Sequence, residues 1–461
     1  MERKYNAITE GVIWKQLLLF FFPIMLGTVF QVMYNTVDAI VVGRYVGKVA
    51  LAAVGGPTGT LINLIVGFFM GVATGCTVVI AQFYGAEDAE RTSRAVHTAM
   101  ALALCGGAAI GAFGALGAKA MLRLMSTPDE VLPHAAGYLQ VFFGGSVTTL
   151  VYNMGSGILR AKGDSKRPFY LLVAGTVVNL GLDLLFVIVF RWGVAGVAWA
   201  TVLSQAASAA GVWLCLAREE EAFRLEARKV RFDPLLLRNI IGIGLPAGLQ
   251  GSMYSVANVV IQAAINSLGV NAVAAWTISS KIDALYWQSM AAFGMALSTF
   301  AGQNFGARRY DRVRRSIWDC TWLSALLTVL YLALALPLAR FWFGIFTDDA
   351  AVIEIGVSVM FIMMPWYFSY IPIETLDGGI RGTGDSVRPT VIMAVGVCAS
   401  RLLWVWLVLP HWRSVATLAW CYPMSWVITA FAFVVYYLKS GWLERSAVRA
   451  GHVPASDGHS A

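Results

Sequence analysis

Charge is what this sequence has least of. Only 13% of its 461 residues are charged, whereas 58% are hydrophobic. Soluble domains carry roughly twice that share of charge. A chain of this length with so few charges cannot cover a water-facing surface, so lipid must be its outer solvent. The composition therefore predicts an integral membrane protein.

Several chemical signatures are also missing. The six cysteines are scattered singly within apolar stretches, without metal-ligand spacing or a disulfide framework. The sequence contains no phosphate-binding loop of the G-x-x-x-x-G-K-[ST] type, which argues against transport driven by ATP. It also has no cluster of histidine, cysteine and carboxylate side chains typical of a metalloenzyme. We therefore expect neither an enzyme nor a protein with a bound cofactor.

Long apolar runs are present instead, and about 20 apolar residues suffice to cross a bilayer as a helix. Twelve such runs predict an all-α membrane protein with twelve transmembrane helices. They lie roughly at 13–42, 50–81, 93–118, 135–158, 168–190, 193–216, 239–267, 272–301, 316–343, 352–380, 389–410 and 415–438.

The basic residues indicate the orientation of these helices. Most of the 34 lysines and arginines fall on the side that holds both termini, so both termini are predicted to be cytoplasmic in a bacterial inner membrane. The net charge of +8 is thus a topology signal, and it argues against a nucleic-acid partner.

Two polar blocks occur twice at one offset. RAKGDSKRP at 160–168 returns as RGTGDSVRP at 381–389, with six of nine positions identical. AQFYGAEDAERTSR at 81–94 returns as GQNFGARRYDRVRR at 302–315, again 221 residues later. The shared offset predicts a duplication of six helices, with two lobes related by a pseudo-two-fold axis along the membrane normal. We interpret the repeated loops as scaffold rather than as a site.

The duplication sets the predicted domain boundaries. We expect an N-lobe at 1–217 (helices 1–6), a charged cytoplasmic loop at 218–238 and a C-lobe at 239–440 (helices 7–12). The polar segment at 441–461 is predicted to be a disordered cytoplasmic tail.

Acidic residues inside apolar runs are candidates for function, because a charge at mid-membrane is costly. In the first run, Asp38 follows Gln31, Tyr34 and Asn35 in FQVMYNTVDAIVVG, and positions 31, 35 and 38 share one helical face. This stripe predicts a polar surface that faces the interior of the helix bundle. Polar contact between helices is the alternative interpretation.

A second acid lies in the fifth run. Asp183 in VVNLGLDLLF has Asn179 one turn before it on the same face, and the sixth run offers Thr201 as a further oxygen ligand. Lys15 and Arg94 stand at the ends of their runs, so no cation in the interior of the first six runs neutralises these carboxylates. We therefore expect Asp38 and Asp183 to bind a proton or Na⁺.

The second half carries other acids. At the 221 offset Glu374 replaces Asn153, and Asp377 lies one turn further along, nearer the cytoplasmic end, where we expect solvent. Glu374 fits either a substrate carboxylate or an ion-pair partner of Lys281. Lys281 and Arg401 are the cations in the interior of these runs, since Arg340 stands near the end of its run, and the role of Asp283 stays open.

Aromatic residues accompany the second-half acids. They can form a wall that holds organic cations, or belts at the membrane interfaces. They are Trp276, Tyr286, Trp287, Trp366, Tyr367 and Tyr370. We include Trp276 and Tyr370 in the predicted substrate cavity. Its other predicted members are Gln31, Tyr34, Asn35, Asn153, Glu374 and Asp377.

Taken together, the duplicated Arg-x-x-Gly-Asp loops, QFYGA with its QNFGA copy, and VDAIVVGRYVG in the first run resemble multidrug and toxic compound extrusion (MATE) transporters, over about residues 10–440. The prokaryotic DinF-like branch is the most similar. The resemblance implies a secondary antiporter that exports cationic or amphipathic drugs in exchange for H⁺ or Na⁺, by alternating access.

The resemblance also implies a cation site in the N-lobe. Its acids and ligands are matched by Asp38, Asn179, Asp183 and Thr201, and Tyr34 and Asn153 match polar residues that line that lobe. The expected partners are small organic cations and the lipid bilayer, and a monomer suffices for two lobes in one chain. The alternative is a flippase for a lipid-linked saccharide of the same superfamily, which needs cavity cations to hold a pyrophosphate.

Overall fold

The structure is a computed structural model, and it describes residues 6–125, 127–219 and 221–452. All regular secondary structure in these ranges is helical, and no strand occurs in them. Each of the twelve predicted runs coincides with a helical stretch. The prediction of an all-α fold is confirmed.

The first half contains nine α-helices, and a π-helix at Leu184–Val189 continues the eighth. They are α1 Ala7–Glu10, α2 Ile13–Tyr45, α3 Lys48–Gly55, α4 Pro57–Gly85, α5 Ala89–Leu124, α6 Leu132–Gly144, α7 Ser146–Lys162, α8 Lys166–Asp183 and α9 Gly193–Ala217. Short 3₁₀ turns at Glu221–Phe223 and Ala227–Lys229 follow in the inter-lobe loop.

The second half contains ten α-helices, with a 3₁₀ turn at Met364–Trp366 and a π-helix at Ala394–Ala399. They are α10 Pro234–Asn266, α11 Val270–Gly306, α12 Tyr310–Ala335, α13 Ala339–Gly344, α14 Ala350–Met363, α15 Tyr367–Gly382, α16 Val387–Met393, α17 Ser400–Leu407, α18 Val415–Lys439 and α19 Trp442–Arg449.

Nine helical stretches of the described chain are long and apolar enough to cross a membrane. The other three predicted runs are helical but differ in composition or continuity. The run at 135–158 is broken into α6 and α7 at Gly145. Helices α10 and α11 are rich in glycine, serine and asparagine, which lowers their hydropathy.

The chain forms two compact units whose limits differ from the predicted lobes. The first unit is Phe20–Gly248. The second unit combines the segment ending at Leu19 with the chain from Leu249 onward. The start of α2 therefore packs with the second half of the sequence, and the inter-lobe loop and the start of α10 pack with the first half.

The N-terminal segment is held by the second copy of the repeated block at 302–315. The guanidinium of Arg312 donates to the carbonyls of Ile8 (3.0 Å) and Gly11 (2.7 Å). Asn6 donates to Gln303 at 3.1 Å. These bonds explain why the segment belongs to the second unit.

The inter-lobe loop is held by residues at and after the first copy of the block. The backbone N–H of Glu226 donates to Nε2 of His97 (3.1 Å), and that of Asp233 donates to Thr98 (3.2 Å). Arg94 forms an ion pair with Asp233. The two copies of the block therefore each fix the segment that leads into the first long helix of a half.

The first of the two loops that contain Gly-Asp-Ser connects helices α7, α8 and α9. Gly163 ends α7 with φ of 106°, a conformation that favours glycine. Asp164 then accepts hydrogen bonds from the backbone N–H groups of Lys166 (3.0 Å) and Arg167 (3.1 Å) and so caps α8. Buried Glu219 joins this loop to the end of α9 through ion pairs with Lys162 and Arg167.

The tail prediction is wrong for residues 442–449, which form α19. Trp442 and Leu443 are buried, and Ser446 accepts a hydrogen bond from Thr383 at 3.2 Å. The polar composition of 441–461 concealed a short amphipathic helix whose apolar face packs against the second unit. Residues 453–461 lie outside the described part of the chain.

Candidate functional site

Asp38 of α2 and Asp183 of α8 meet at the side chain of Asn179 within the Phe20–Gly248 unit. The Asn179 amide donates to Asp38 Oδ1 at 3.0 Å and to Asp183 Oδ2 at 3.1 Å, with its nitrogen assigned to the side that faces both acids. All three side chains are buried, and Asp183 is fully inaccessible. The structure thus brings together the acids that the sequence analysis singled out.

Local sequence positions these groups. Asn179 and Asp183 lie one turn apart at the end of α8, so they face the same direction. A π-helix begins at Leu184, directly after them, and π turns are frequent at functional sites. Gly175 allows α9 to approach closely, because a Cβ there would lie 2.1 Å from Ser208 Oγ.

Thr201 of α9 is buried near this group, as predicted. Its hydroxyl donates to the Val197 carbonyl of its own helix at 3.0 Å, which leaves the hydroxyl oxygen as an acceptor. Tyr138 of α6 lies beside it, within hydrogen-bonding reach of Thr201 and close to both carboxylates. The sequence analysis missed Tyr138, since a single tyrosine in an apolar helix carries no distinctive signal.

One oxygen of Asp183 has no hydrogen-bond partner in the described chain. This oxygen, Oδ1, is buried. Each charged acid at mid-membrane costs about 2.5–3.5 kcal/mol. The single amide of Asn179 offsets about 1.5–3 kcal/mol per hydrogen bond to a charged group. An orphan oxygen between two such acids fits a proton or a small cation.

Two further predicted residues of the first half, Gln31 and Asn153, do not join this group in the described chain. Gln31 is exposed, and Asn153 donates to the Thr149 carbonyl of its own helix at 2.9 Å. The side chains of Tyr34 and Asn35 lie outside the described part of the chain. Of the described side chains of the predicted stripe on α2, Asp38 lies at the site.

Asp283 in the second unit is satisfied in a different way. Its two oxygens accept hydrogen bonds from Tyr331 (2.9 Å) and Tyr367 (2.6 Å). Both tyrosines belong to a stacked aromatic cluster, with ring centroids 6.4 Å apart. Because each oxygen has a donor, Asp283 has less need of an external ligand than Asp183.

Glu374 is half-buried on α15 and accepts a hydrogen bond from Tyr370 at 3.1 Å. Its other oxygen lies over Gly294, where a Cβ would approach to 2.1 Å. Lys281 is exposed and makes no ion pair with Glu374 in the described chain. Of the two predicted roles, the geometry favours a carboxylate that can meet a substrate over an ion-pair partner of Lys281.

Asp377 is buried, contrary to the expectation that it meets solvent. It forms an ion pair with Arg381 at 2.5 Å, with Gln250 also in contact at 3.5 Å. One helical turn separates the two charges on α15. Sequence analysis had assigned Arg381 to the cytoplasmic loop and did not foresee this pairing.

Trp276 and Tyr370 belong to one aromatic cluster in the second unit. Trp276 contacts Tyr422 (5.6 Å between centroids), Tyr422 contacts Trp426 (5.7 Å), and Trp426 contacts Tyr370 (6.1 Å). Of this cluster, Tyr370 contacts Glu374, and the aromatic wall stays a prediction.

A separate cavity of 540 Å³ contains no acid and is distinct from these groups. It is lined by Trp366, Trp404, Val408, Trp412, Thr417, Trp420, Pro423, Met424, Val427 and Ile428.

Arg401 of α17 is the most deeply buried cation in this cluster, with 3% of its surface exposed. It donates to Ser425 at 3.1 Å, and its guanidinium lies 4.0 Å from the centre of the Tyr422 ring. No carboxylate of the described chain forms an ion pair with it. A cation–π contact contributes about 0.5–2 kcal/mol, which does not offset the cost of a buried charge.

The duplication, the helical fold and the buried acids define a class: a two-lobed membrane transporter. The MatE family model matches residues 23–185 and 246–407, one segment in each half. The chain belongs to this family of multi-pass transporters.

Curated relatives and solved structures agree with this assignment. The probable multidrug resistance protein YoeA of Bacillus subtilis is 27% identical over 446 residues, covering 95% of this chain and 96% of its own. The probable multidrug resistance protein NorM of Thermotoga maritima is 24% identical, covering 94% of each chain.

The fold is shared with solved MATE structures. A crystal structure of MATE in the bent conformation superposes with a TM-score of 0.88 at 21% identity, over 96% of this chain and 98% of that one. The straight conformation gives 0.86 over 96% and 100%. These structures have twelve helices in two lobes, as predicted.

Proposed function

We propose that this protein exports cationic or amphipathic drugs in exchange for H⁺ or Na⁺, which bind at Asp38 and Asp183. The observation that carries the proposal is the buried Asp38–Asn179–Asp183 group with its orphan oxygen. Two adjacent carboxylates attract one another only when a positive charge lies between them. Binding of one ion there cancels one of the two negative charges, and ion release restores the repulsion.

The Asn179 amide can turn to suit either state of the two acids. With its nitrogen toward the acids it donates to both, which suits ionised carboxylates. A half-turn of the amide presents its oxygen instead, which suits protonated acids or a cation. Thr201 and Tyr138 provide further oxygens beside the group. The same side chains therefore accommodate both the loaded and the empty state.

Substrate recognition is proposed for the second unit. Glu374 offers a half-buried carboxylate edge, and Tyr370 and Trp287 provide rings beside it, 4.9 Å apart. A carboxylate against aromatic faces suits an organic cation. The relatives named above are multidrug resistance proteins, which supports this class of substrate.

We extend the proposal to orientation and assembly. Both termini are cytoplasmic, since the basic residues concentrate on their side. A monomer is the working unit. The flippase alternative needs several cations to hold a pyrophosphate, whereas Arg401 is the single buried cation noted above and Lys281 is exposed.

The test is ethidium efflux from pump-deficient bacteria that express the wild type, Asp183→Asn or the control Asp311→Asn, whose carboxylate is exposed on α12. We expect efflux from the wild type and the control, and its loss in Asp183→Asn at equal membrane abundance. Equal efflux in all three variants would remove Asp183 from the mechanism. Absence of wild-type efflux would count against ethidium-like substrates.

A further inference from the structure

Arg401 is a buried cation of the second unit with few partners for its charge. Its guanidinium is buried against Tyr422 and bonds Ser425, a neutral partner. Of the five N–H donors that a guanidinium carries, the described chain provides an acceptor for one, the Nε–H. The group therefore has unused donors and an uncompensated charge.

Two other donors in the same cluster also lack acceptors. The Tyr254 hydroxyl is buried without a hydrogen bond in the described chain, and the Arg401 guanidinium lies 5.9 Å from the Tyr254 ring. The indole N–H of Trp426, which packs against Tyr422, is likewise buried without a partner. Buried polar groups are normally paired. An excess of donors around a cation calls for a ligand that accepts.

The duplication relates the position of Arg401 to that of Asn179 in the first half. Counted from the repeated prolines Pro168 and Pro389, Arg401 lies one residue further along than Asn179. The π-helix Ala394–Ala399 precedes Arg401 and adds one residue to a turn, so Arg401 takes the face that Asn179 takes in α8. Arg401 thus takes the place in the second half that the neutral amide of Asn179 takes between the two acids of the first half.

We propose that Arg401 binds the carboxylate of a planar aromatic substrate, with Tyr254 as a second donor. A carboxylate accepts two parallel hydrogen bonds from a guanidinium. The ring of such a molecule can stack on Tyr422 or Tyr254, both of which are partly exposed. This inference rests on the proposed export of amphipathic drugs and adds acidic and zwitterionic aromatic molecules to its substrates.

The test is equilibrium binding to the full-length protein purified in a neutral maltoside detergent. The probes are 2-naphthoate and its neutral analogue 2-naphthamide, with ethidium as a cationic reference. We expect the wild type to bind 2-naphthoate at least about tenfold more tightly than 2-naphthamide. Arg401→Gln should abolish this preference and keep its ethidium affinity, and Lys281→Gln, the control at an exposed cation, should retain both.

Equal affinities for the two naphthyl probes in the wild type, or an unchanged preference in Arg401→Gln, would overturn the proposal. If Arg401→Gln does not fold, Tyr422→Leu replaces it, because it removes the ring that holds the guanidinium. We expect it to weaken 2-naphthoate binding several-fold, and unchanged binding would again overturn the proposal.

This readout is independent of transport. Failure of ethidium efflux with an intact 2-naphthoate preference would count against the antiport proposal and leave the anion site standing. Normal ethidium efflux without the 2-naphthoate preference would count against the anion site and leave the antiport proposal standing.

Discussion

Asp38 and Asp183 approach the same amide nitrogen of Asn179 from two different helices, at 3.0 Å and 3.1 Å. The two acidic oxygens are therefore at most about 6 Å apart, within the range over which like charges interact strongly. In a buried setting this proximity is unfavourable unless positive charge is added. The group is thus built to change its energy when an ion binds or leaves.

Removing the shared amide should destabilise the protein. In Asn179→Ala, two hydrogen bonds to carboxylates are lost. At about 1.5–3 kcal/mol for each bond, we expect a loss of about 3–6 kcal/mol. Thermal melting of the purified protein measures it. Asn153→Ala is the matched control, because the Asn153 amide bonds only its own helix in the described chain. Equal melting of the two variants would show that Asn179 does not stabilise the acids.

Gly294 should matter through Glu374. A methyl group at position 294 would lie 2.1 Å from Glu374 Oε1, so Gly294→Ala must displace the carboxylate. We expect a several-fold loss of ethidium affinity, similar to that of Glu374→Gln. Gly344→Ala is the control, since a Cβ there meets nothing within 4 Å. Wild-type affinity in Gly294→Ala would exclude a precise role for Glu374 in cation binding.

Glu219 should make stability depend on pH. Burial alone would raise the pKa of Glu219, but the hydrogen bonds and charges of Lys162 and Arg167 outweigh it and lower the pKa. A lowered folded-state pKa means that the ion pairs stabilise the fold above the ordinary glutamate pKa. This stability is lost as the pH falls through the lowered value.

Melting curves at neutral pH and near pH 3.5 measure this effect, since glutamate ordinarily titrates at about 4.3. We expect Glu219→Gln to melt below the wild type at neutral pH, with a smaller difference in acid. Glu226→Gln is the control because its ion pair with Lys229 is exposed. A difference for Glu219→Gln that persists unchanged in acid would contradict the assigned ion pairs.

The length of the apolar runs was sufficient to predict the helices. The energetic cost of a charge in the membrane was sufficient to single out Asp38 and Asp183, and helical spacing added Asn179. Charged residues in apolar runs are rare and therefore conspicuous, and the spacing of Asn179 and Asp183 placed them on one face. Tyr138 could not be predicted in the same way, because its contribution arises from packing between helices that are distant in sequence.

The unit boundaries and the face of Arg401 depend on features that periodicity does not reveal. Arg312 binds backbone carbonyls of the N-terminal segment, and such bonds leave no sequence pattern. The π-helix before Arg401 shifts the helical register by one residue, and an α-helical projection misses this shift. A repeat offset alone therefore aligns Ser400, rather than Arg401, with Asn179.

The central claim is that ion binding at Asp38 and Asp183 drives export. The most direct measurement is ethidium accumulation in proteoliposomes under an imposed pH or Na⁺ gradient, with the wild type and Asp183→Asn compared at equal ethidium binding. The account predicts gradient-driven accumulation by the wild type under one of the two ions, and its loss in Asp183→Asn. Equal gradient-driven accumulation by both proteins would contradict it.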